Sequence, residues 1–106
     1  MPNIKFIHAN GTEILNEKEK QLVNKLLNEY YKKIHRQLKN EVSLEAHIKA
    51  HDVSKRQKKF NIHIDVVNSF KFGATADDWD LARAIHKVMK KIMSEIEHKL
   101  HVSKQH

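Results

Sequence analysis

The chain has 106 residues, 40% of them hydrophobic and 31% charged, with 20 Lys+Arg against 13 Asp+Glu and a formal net charge of +7. That length suits one domain with a real core, and a small domain this basic commonly meets nucleic acid or an anionic surface. The absence of cysteine excludes disulfides, a thiolate nucleophile and a Cys-based zinc site, while two glycines and one proline exclude a Gly-rich phosphate loop and a long flexible linker.

Ile4, Phe6 and Ile7 make a short apolar run, so the first strand is expected over Asn3–His8. Ala9-Asn10-Gly11-Thr12 is turn chemistry. Asn16 followed by Glu19 has the form of a capping box and should open a long helix reaching about Lys39. Leu22, Val23, Leu26, Leu27, Tyr30, Ile34 and Leu38 form its apolar stripe. Lys18, Lys25, Lys32 and Lys39 recur at every second turn, with Arg36 among them, and line the opposite side.

The period then changes. Val42, Leu44, Ala46, Ile48 and Ala50 alternate with Ser43, Glu45, His47, Lys49 and His51, the signature of a half-buried strand. A loop over Asp52–Lys59, crowded with Lys55, Arg56, Lys58 and Lys59, should turn the chain into a second such strand, in which Phe60, Ile62, Ile64 and Val66 alternate with Asn61, His63 and Asp65. After a turn at Asn68-Ser69, Phe70, Phe72, Ala74 and Ala76 alternate with Lys71, Gly73 and Thr75 in the last strand. Asp77 is expected to begin the closing helix, with Asp77 or Asp78 as its cap and Asp80 favourably placed against its dipole. Leu81, Ile85, Val88, Ile92 and Ile96 define that helix's buried face, and Arg83, Lys87, Lys90, Lys91 and His98 its outer one. The order β-α-β-β-β-α predicts an α+β fold: a two-layer sandwich with both helices on one face of a four-stranded, mostly antiparallel sheet. Residues 1–100 form the single domain, and 101–106 a frayed basic tail.

Nothing supplies an activated serine or cysteine, and the carboxylates sit where capping explains them, so neither a catalytic residue nor a cofactor is expected. His47 and His63 fall on the polar face of neighbouring strands and could approach each other, but a metal site needs three or four converging ligands, and no metal is expected. Tyr30, Tyr31, Phe60, Phe70, Phe72 and Trp79 fall mostly at core-facing positions, which leaves the open sheet face without aromatics on which bases could stack. No apolar run is long enough to cross a bilayer and M-P-N-I-K-F-I-H has no signal-peptide core, so a cytoplasmic protein without membrane or small-molecule partners is expected. Cations remain. The first helix's lysine row, the Lys55–Lys59 cluster and the last helix's outer stripe point to a phosphate backbone, bound by shape and sensitively to salt.

The element order and the segment A-T-A-D-D-W-D-L-A-R-A-I-H-K-V-M-K-K-I resemble the short ribosome hibernation promoting factors and the related ribosome-associated translation inhibitors. Ala74 and Ala76 match that family's last strand, Asp80 its helix-opening acid, Ala84-Ile85 its Ala-Ile pair and Lys91-Ile92 its Lys-Leu pair. The likeness in element order covers nearly the whole chain, and the residue match is concentrated in Ala74–Ile92. Ala82 stands where the family usually has Tyr, His86 and Lys90 replace two Asp, and Ser94 replaces a frequent Arg. The resemblance implies a stress-response factor, monomeric off the ribosome, that docks in the mRNA and tRNA channel of the small ribosomal subunit and blocks translation by occupancy. It implies rRNA contacts from Lys87, Lys91 and Lys99, then from Lys25, Lys32 and Arg36. Arg83, Lys90 and the Lys55, Arg56, Lys58 and Lys59 cluster complete the candidate set.

The alternative is a double-stranded RNA-binding module not tied to the ribosome. That module carries lysines at the start of its last helix, where this chain has Asp77, Asp78 and Asp80, and it has no place for the first strand. Two weaker readings are a basic surface for an acidic protein or membrane, and a metal-dependent enzyme using His47 and His63.

Overall fold

The computed structural model describes residues 6–39, 41–54 and 57–104, with side chains at 10–39, 41–51 and 58–100. The chain is α+β: β1 (Phe6–Asn10), a 3-10 turn (Thr12–Ile14), α1 (Glu17–Leu38), β2 (Ser43–Ser54), β3 (Gln57–Val67), β4 (Lys71–Asp78) and α2 (Leu81–Lys104). The strands lie in the order β1-β2-β3-β4. β1 runs parallel to β2, with Ala9 opposite Ala46, while β2, β3 and β4 form an antiparallel meander with His47 opposite His63 and His63 opposite Thr75.

Leu44, Ala46, Ile48, Phe60, Ile62, Ile64, Val66, Phe72 and Ala76 are buried on one face of the sheet. They share a single core with Val23, Leu27 and Ile34 of α1 and Ile85, Val88, Met89, Ile92 and Ile96 of α2. Both helices therefore cover the same face. Each helix runs back along the strand before it. Along α2, Lys87 reaches Asp77, Lys91 reaches Thr75 and Lys99 reaches Phe70. Along α1, the late Tyr31 hydroxyl donates to the Val42 carbonyl at 3.1 Å, just before β2 begins. Since β1 and β4 point the same way, so do the helices.

The capping box at α1 is complete: Asn16 Oδ1 accepts from the Glu19 N–H at 2.8 Å, and Glu19 Oε1 accepts from the Asn16 N–H at 2.9 Å. The helix ends at Lys39, in the left-handed region at φ 58°, whose N–H donates to the His35 carbonyl. Gly11 also has a positive φ, 88°, and a Cβ there would collide with the Ile48 carbonyl. Gly73 leaves room for the Asp65 carboxylate, whose Oδ1 would lie 2.6 Å from an added Cβ.

Several boundaries differ from expectation. β1 reaches Asn10 because its parallel ladder to β2 continues through the supposed turn residues. The loop expected over Asp52–Lys59 is mostly strand: His51 pairs with Lys59 and Asp52 with Lys58, with an irregularity between Asp52 and Ser54. Neither Gly nor Pro interrupts that stretch, and a ladder needs backbone partners rather than apolar side chains. β4 starts after Phe70 and continues through Asp78, because Asp77 and Asp78 pair with Asn61 and Phe60 of β3. Asp80, rather than Asp77 or Asp78, caps α2. Its Oδ1 accepts from the Arg83 N–H at 2.9 Å and its carbonyl from the Ala84 N–H at 3.0 Å. At the other end α2 continues to Lys104, past the expected limit at residue 100.

Candidate nucleic-acid interface

The α1 row comes from helical geometry alone. Lys25, Lys32 and Arg36 lie nearly opposite the buried Val23, Leu27 and Ile34, so packing that side inward turns the cations out. All three are exposed, as are Lys18 and Lys39. Lys25, Lys32 and Arg36 form no ion pair with a described residue. Lys25 to Arg36 covers about 16 Å of helix axis. On the flank toward α2, Lys33 Nζ stands 5.1 Å from the Tyr30 ring centroid. The Tyr30 hydroxyl hydrogen-bonds His86 Nδ1 at 2.6 Å, tying the two helices together. Burial, with a smaller contribution from Glu29, pushes the Tyr30 hydroxyl pKa up.

The α2 cations split into two groups. Lys90 is exposed and also makes no ion pair with a described residue. Arg83, Lys87 and Lys91, each one turn after the last, lean over β4 instead. Arg83 Nε is 3.3 Å and Lys87 Nζ 2.7 Å from Asp78 Oδ2. Lys87 Nζ also donates to the Asp77 carbonyl at 3.3 Å, and Lys91 Nζ to the Thr75 carbonyl at 3.0 Å. Asp78 explains the arrangement. Strand alternation turns it under α2, where it is only 8% exposed, and a carboxylate so placed needs donors. The Lys87 hydrogen bond first, then the Asp80 N–H, with Arg83 and Lys87 as nearby charges, hold its carboxyl down at about 2. The outer stripe expected for α2 is exposed throughout, from Arg83 to His98, but part of it also contacts β4. Arg83 and Lys87 serve an internal carboxylate, and Lys91 a strand carbonyl.

The remaining candidates lie apart from these. Lys58 and Lys59 are exposed at the start of β3, near the beginning of α2. Lys99 lies at the opposite end of β4, its Nζ 4.2 Å from the Phe70 ring centroid. It borders an open recess of about 510 Å³ with Lys71, Phe72 and His98. Lys55 and Arg56 fall outside the described residues.

Two aromatics expected near the core are at the surface, Phe70 at 49% and Trp79 at 48% exposure. Phe70 sits in the turn, where its N–H donates to Asn68 Oδ1. Trp79 follows a strand two residues longer than expected. Continuing the alternation of Thr75 and Asp77 would have placed it on the open side, with Asp78 beneath the helix. That parity was the available signal for Trp79 and Asp78, whereas Phe70 is in phase with the buried Phe72 and is exposed because it precedes the strand.

The open sheet face carries a polar network. His47 Nε2 lies 2.9 Å from Glu45 Oε1, and its Nδ1 is 3.3 Å from Asn10 Nδ2. His63 Nδ1 lies 2.6 Å from Thr75 Oγ1, and its Nε2 is 3.1 Å from Asp65 Oδ1. The two rings approach to 6.4 Å between centroids, and all four ring nitrogens are engaged. Among the described residues no group of three or more His, Cys, Asp or Glu side chains is placed to hold a metal ion. No described helix is long and apolar enough to cross a membrane. Neither a protein-family model nor a curated protein sequence matches the chain.

Proposed function

We propose that this chain is a ribosome-associated, hibernation-type factor that binds folded RNA of the small ribosomal subunit in the decoding channel. There it would inhibit translation by occupancy, as a cytoplasmic monomer without catalysis or cofactor. The observation that carries this reading is the exposed row Lys25, Lys32 and Arg36 on α1, on a chain of net charge +7. Cations held about 16 Å along one rigid axis, none of them in an ion pair with a described residue although the exposed Glu29 stands among them, suit a phosphate backbone of fixed shape. The β-α-β-β-β-α order, with both helices on one face of the sheet, supports a fold like that of double-stranded RNA-binding domains, as does the resemblance over Ala74–Ile92. Lys87 and Lys91 contribute less than the resemblance alone implies, and Arg83 less than its place in the cationic stripe implies, because all three also bond to β4.

Co-sedimentation with purified small ribosomal subunits tests the reading. Binding at low salt that is released by high salt is expected, with a plain RNA duplex retained more weakly. Equal affinity for the duplex assigns the chain to the alternative, a structured-RNA module not tied to the ribosome. Protein that stays in the supernatant at low salt when mixed with subunits removes the ribosome reading, and failure to retain the duplex removes the alternative.

A further inference from the structure

Trp79 is the chain's one tryptophan, and neither the core nor the α1 cation row uses it. It stands in the bend between β4 and α2, with nearly half its surface open. A lone exposed apolar residue is ordinary. Three further observations give this one a setting.

The first is a cation on the ring: Lys59 Nζ lies 5.7 Å from the indole centroid. The second is the shape of the sheet edge. β4 ends with Asp78 opposite Phe60, whereas β2 and β3 continue as a two-stranded ribbon, pairing His51 with Lys59, Asp52 with Lys58 and Ser54 with Gln57. Trp79 therefore sits at the foot of a projecting ribbon that bears the exposed Lys58 and Lys59. The third concerns the neighbouring carboxylates. Asp78 is held by Arg83 and Lys87, Asp80 caps α2, and Asp77 accepts from Asn61 Nδ2. Only the Asp78 charge is balanced, by Arg83 and Lys87; Asp77 and Asp80 are exposed and meet neutral amides, so Lys58 and Lys59 must outweigh them for a phosphate to approach.

We propose that Trp79 is a stacking site for an unpaired nucleotide of the bound RNA, with Lys58 and Lys59 holding the flanking phosphates. An open indole accepts the π-face of any base, so the contact would tolerate sequence while requiring an unpaired base. The inference rests on the RNA-binding reading and deepens it: α1 grips folded backbone, and the ribbon foot takes a strand that leaves a duplex.

With one tryptophan, intrinsic emission reports on this position alone. The chain is titrated with a single-stranded RNA decamer of mixed A and U, and separately with inorganic polyphosphate, which carries charge but no base. Quenching by the decamer and not by polyphosphate is expected. With a labelled decamer followed by anisotropy, Trp79→Ala should weaken binding at least about fivefold, while Trp79→Phe keeps most of the affinity. The ring is outside the core, so circular dichroism of both variants should match the parent. Equal quenching by polyphosphate, an unchanged affinity in Trp79→Ala, or no binding of the decamer by the parent protein overturns the stacking site. If the parent still pellets with small subunits in any of those cases, the ribosome reading stands alone. If it does not, both fall.

Discussion

Asp78 is a carboxylate under a helix, and its surroundings show how a charge can be fixed by fold rather than by function. Lys87 and Arg83 converge on Oδ2, and the Asp80 N–H donates to Oδ1 at 2.9 Å. Its carboxyl titrates at about 2 in the folded chain, against an ordinary 3.8. Through that interval the folded state holds the group ionised while the unfolded chain takes up a proton. Its stabilising effect is thus complete above about 3.8 and is lost as pH falls toward 2. Urea unfolding followed by circular dichroism across that range should show Asp78→Asn less stable than the parent at neutral pH, with a flatter decline in acid. Parallel acid limbs for the two proteins would mean that Asp78 does not couple to folding. Lys87→Glu would face Asp78 with a second carboxylate, so charge reversal there perturbs the fold and is a poor probe of RNA binding.

Helix α1 was legible from sequence because its signals are local. Asn16 and Glu19 meet across one turn, and the apolar stripe repeats at helical spacing over the 22 residues of the helix. Removing the cap isolates one such signal. Asn16→Ala should cost about 1 kcal/mol in urea unfolding and leave RNA binding unchanged, since the cap stands at the end of α1 away from Arg36. A loss of several kcal/mol would mean that Asn16 holds more than the helix start. The strands were legible in their alternation but not in their ends. Where β2, β3 and β4 stop depends on which backbone finds a partner, and Lys58, Lys59, Asp77 and Asp78 stay in the ladder despite their charge. The same dependence hid the cap of α2. Asp77, Asp78 and Asp80 each have a capping side chain, and only pairing with β3 leaves Asp80 to the helix.

For the molecule as a whole, two helices share one core over one face of a twisted sheet, and Ile92 of α2 is fully buried within it. Ile92→Ala should cost about 2–5 kcal/mol through the cavity it leaves, read from the urea midpoint, with RNA affinity preserved in the folded fraction. A cost below 1 kcal/mol would show that the two layers do not pack as one core. The positive surface was only partly legible. Helical spacing placed Lys25, Lys32 and Arg36 on the outside of α1, because a period locates the side facing away from a core. It could not show that Arg83, Lys87 and Lys91 bend toward β4, since their acceptors are the Asp78 carboxylate and strand carbonyls from another element. Nor could it reveal Trp79, whose exposure follows from where β4 ends.

The central claim is that the α1 row grips RNA phosphates, and the most direct measurement is the salt dependence of small-subunit binding by the Lys25→Glu, Lys32→Glu, Arg36→Glu triple variant. All three positions are exposed, and the new carboxylates line up with the exposed Glu29 at helical spacing, so the variant should stay folded with a loss of about 1 kcal/mol in urea unfolding. The account predicts an affinity loss well beyond tenfold at low salt, and a log–log salt slope shallower by about 2–3 than that of the parent protein. An affinity and a slope equal to the parent's would contradict it, leaving the row as solvated surface.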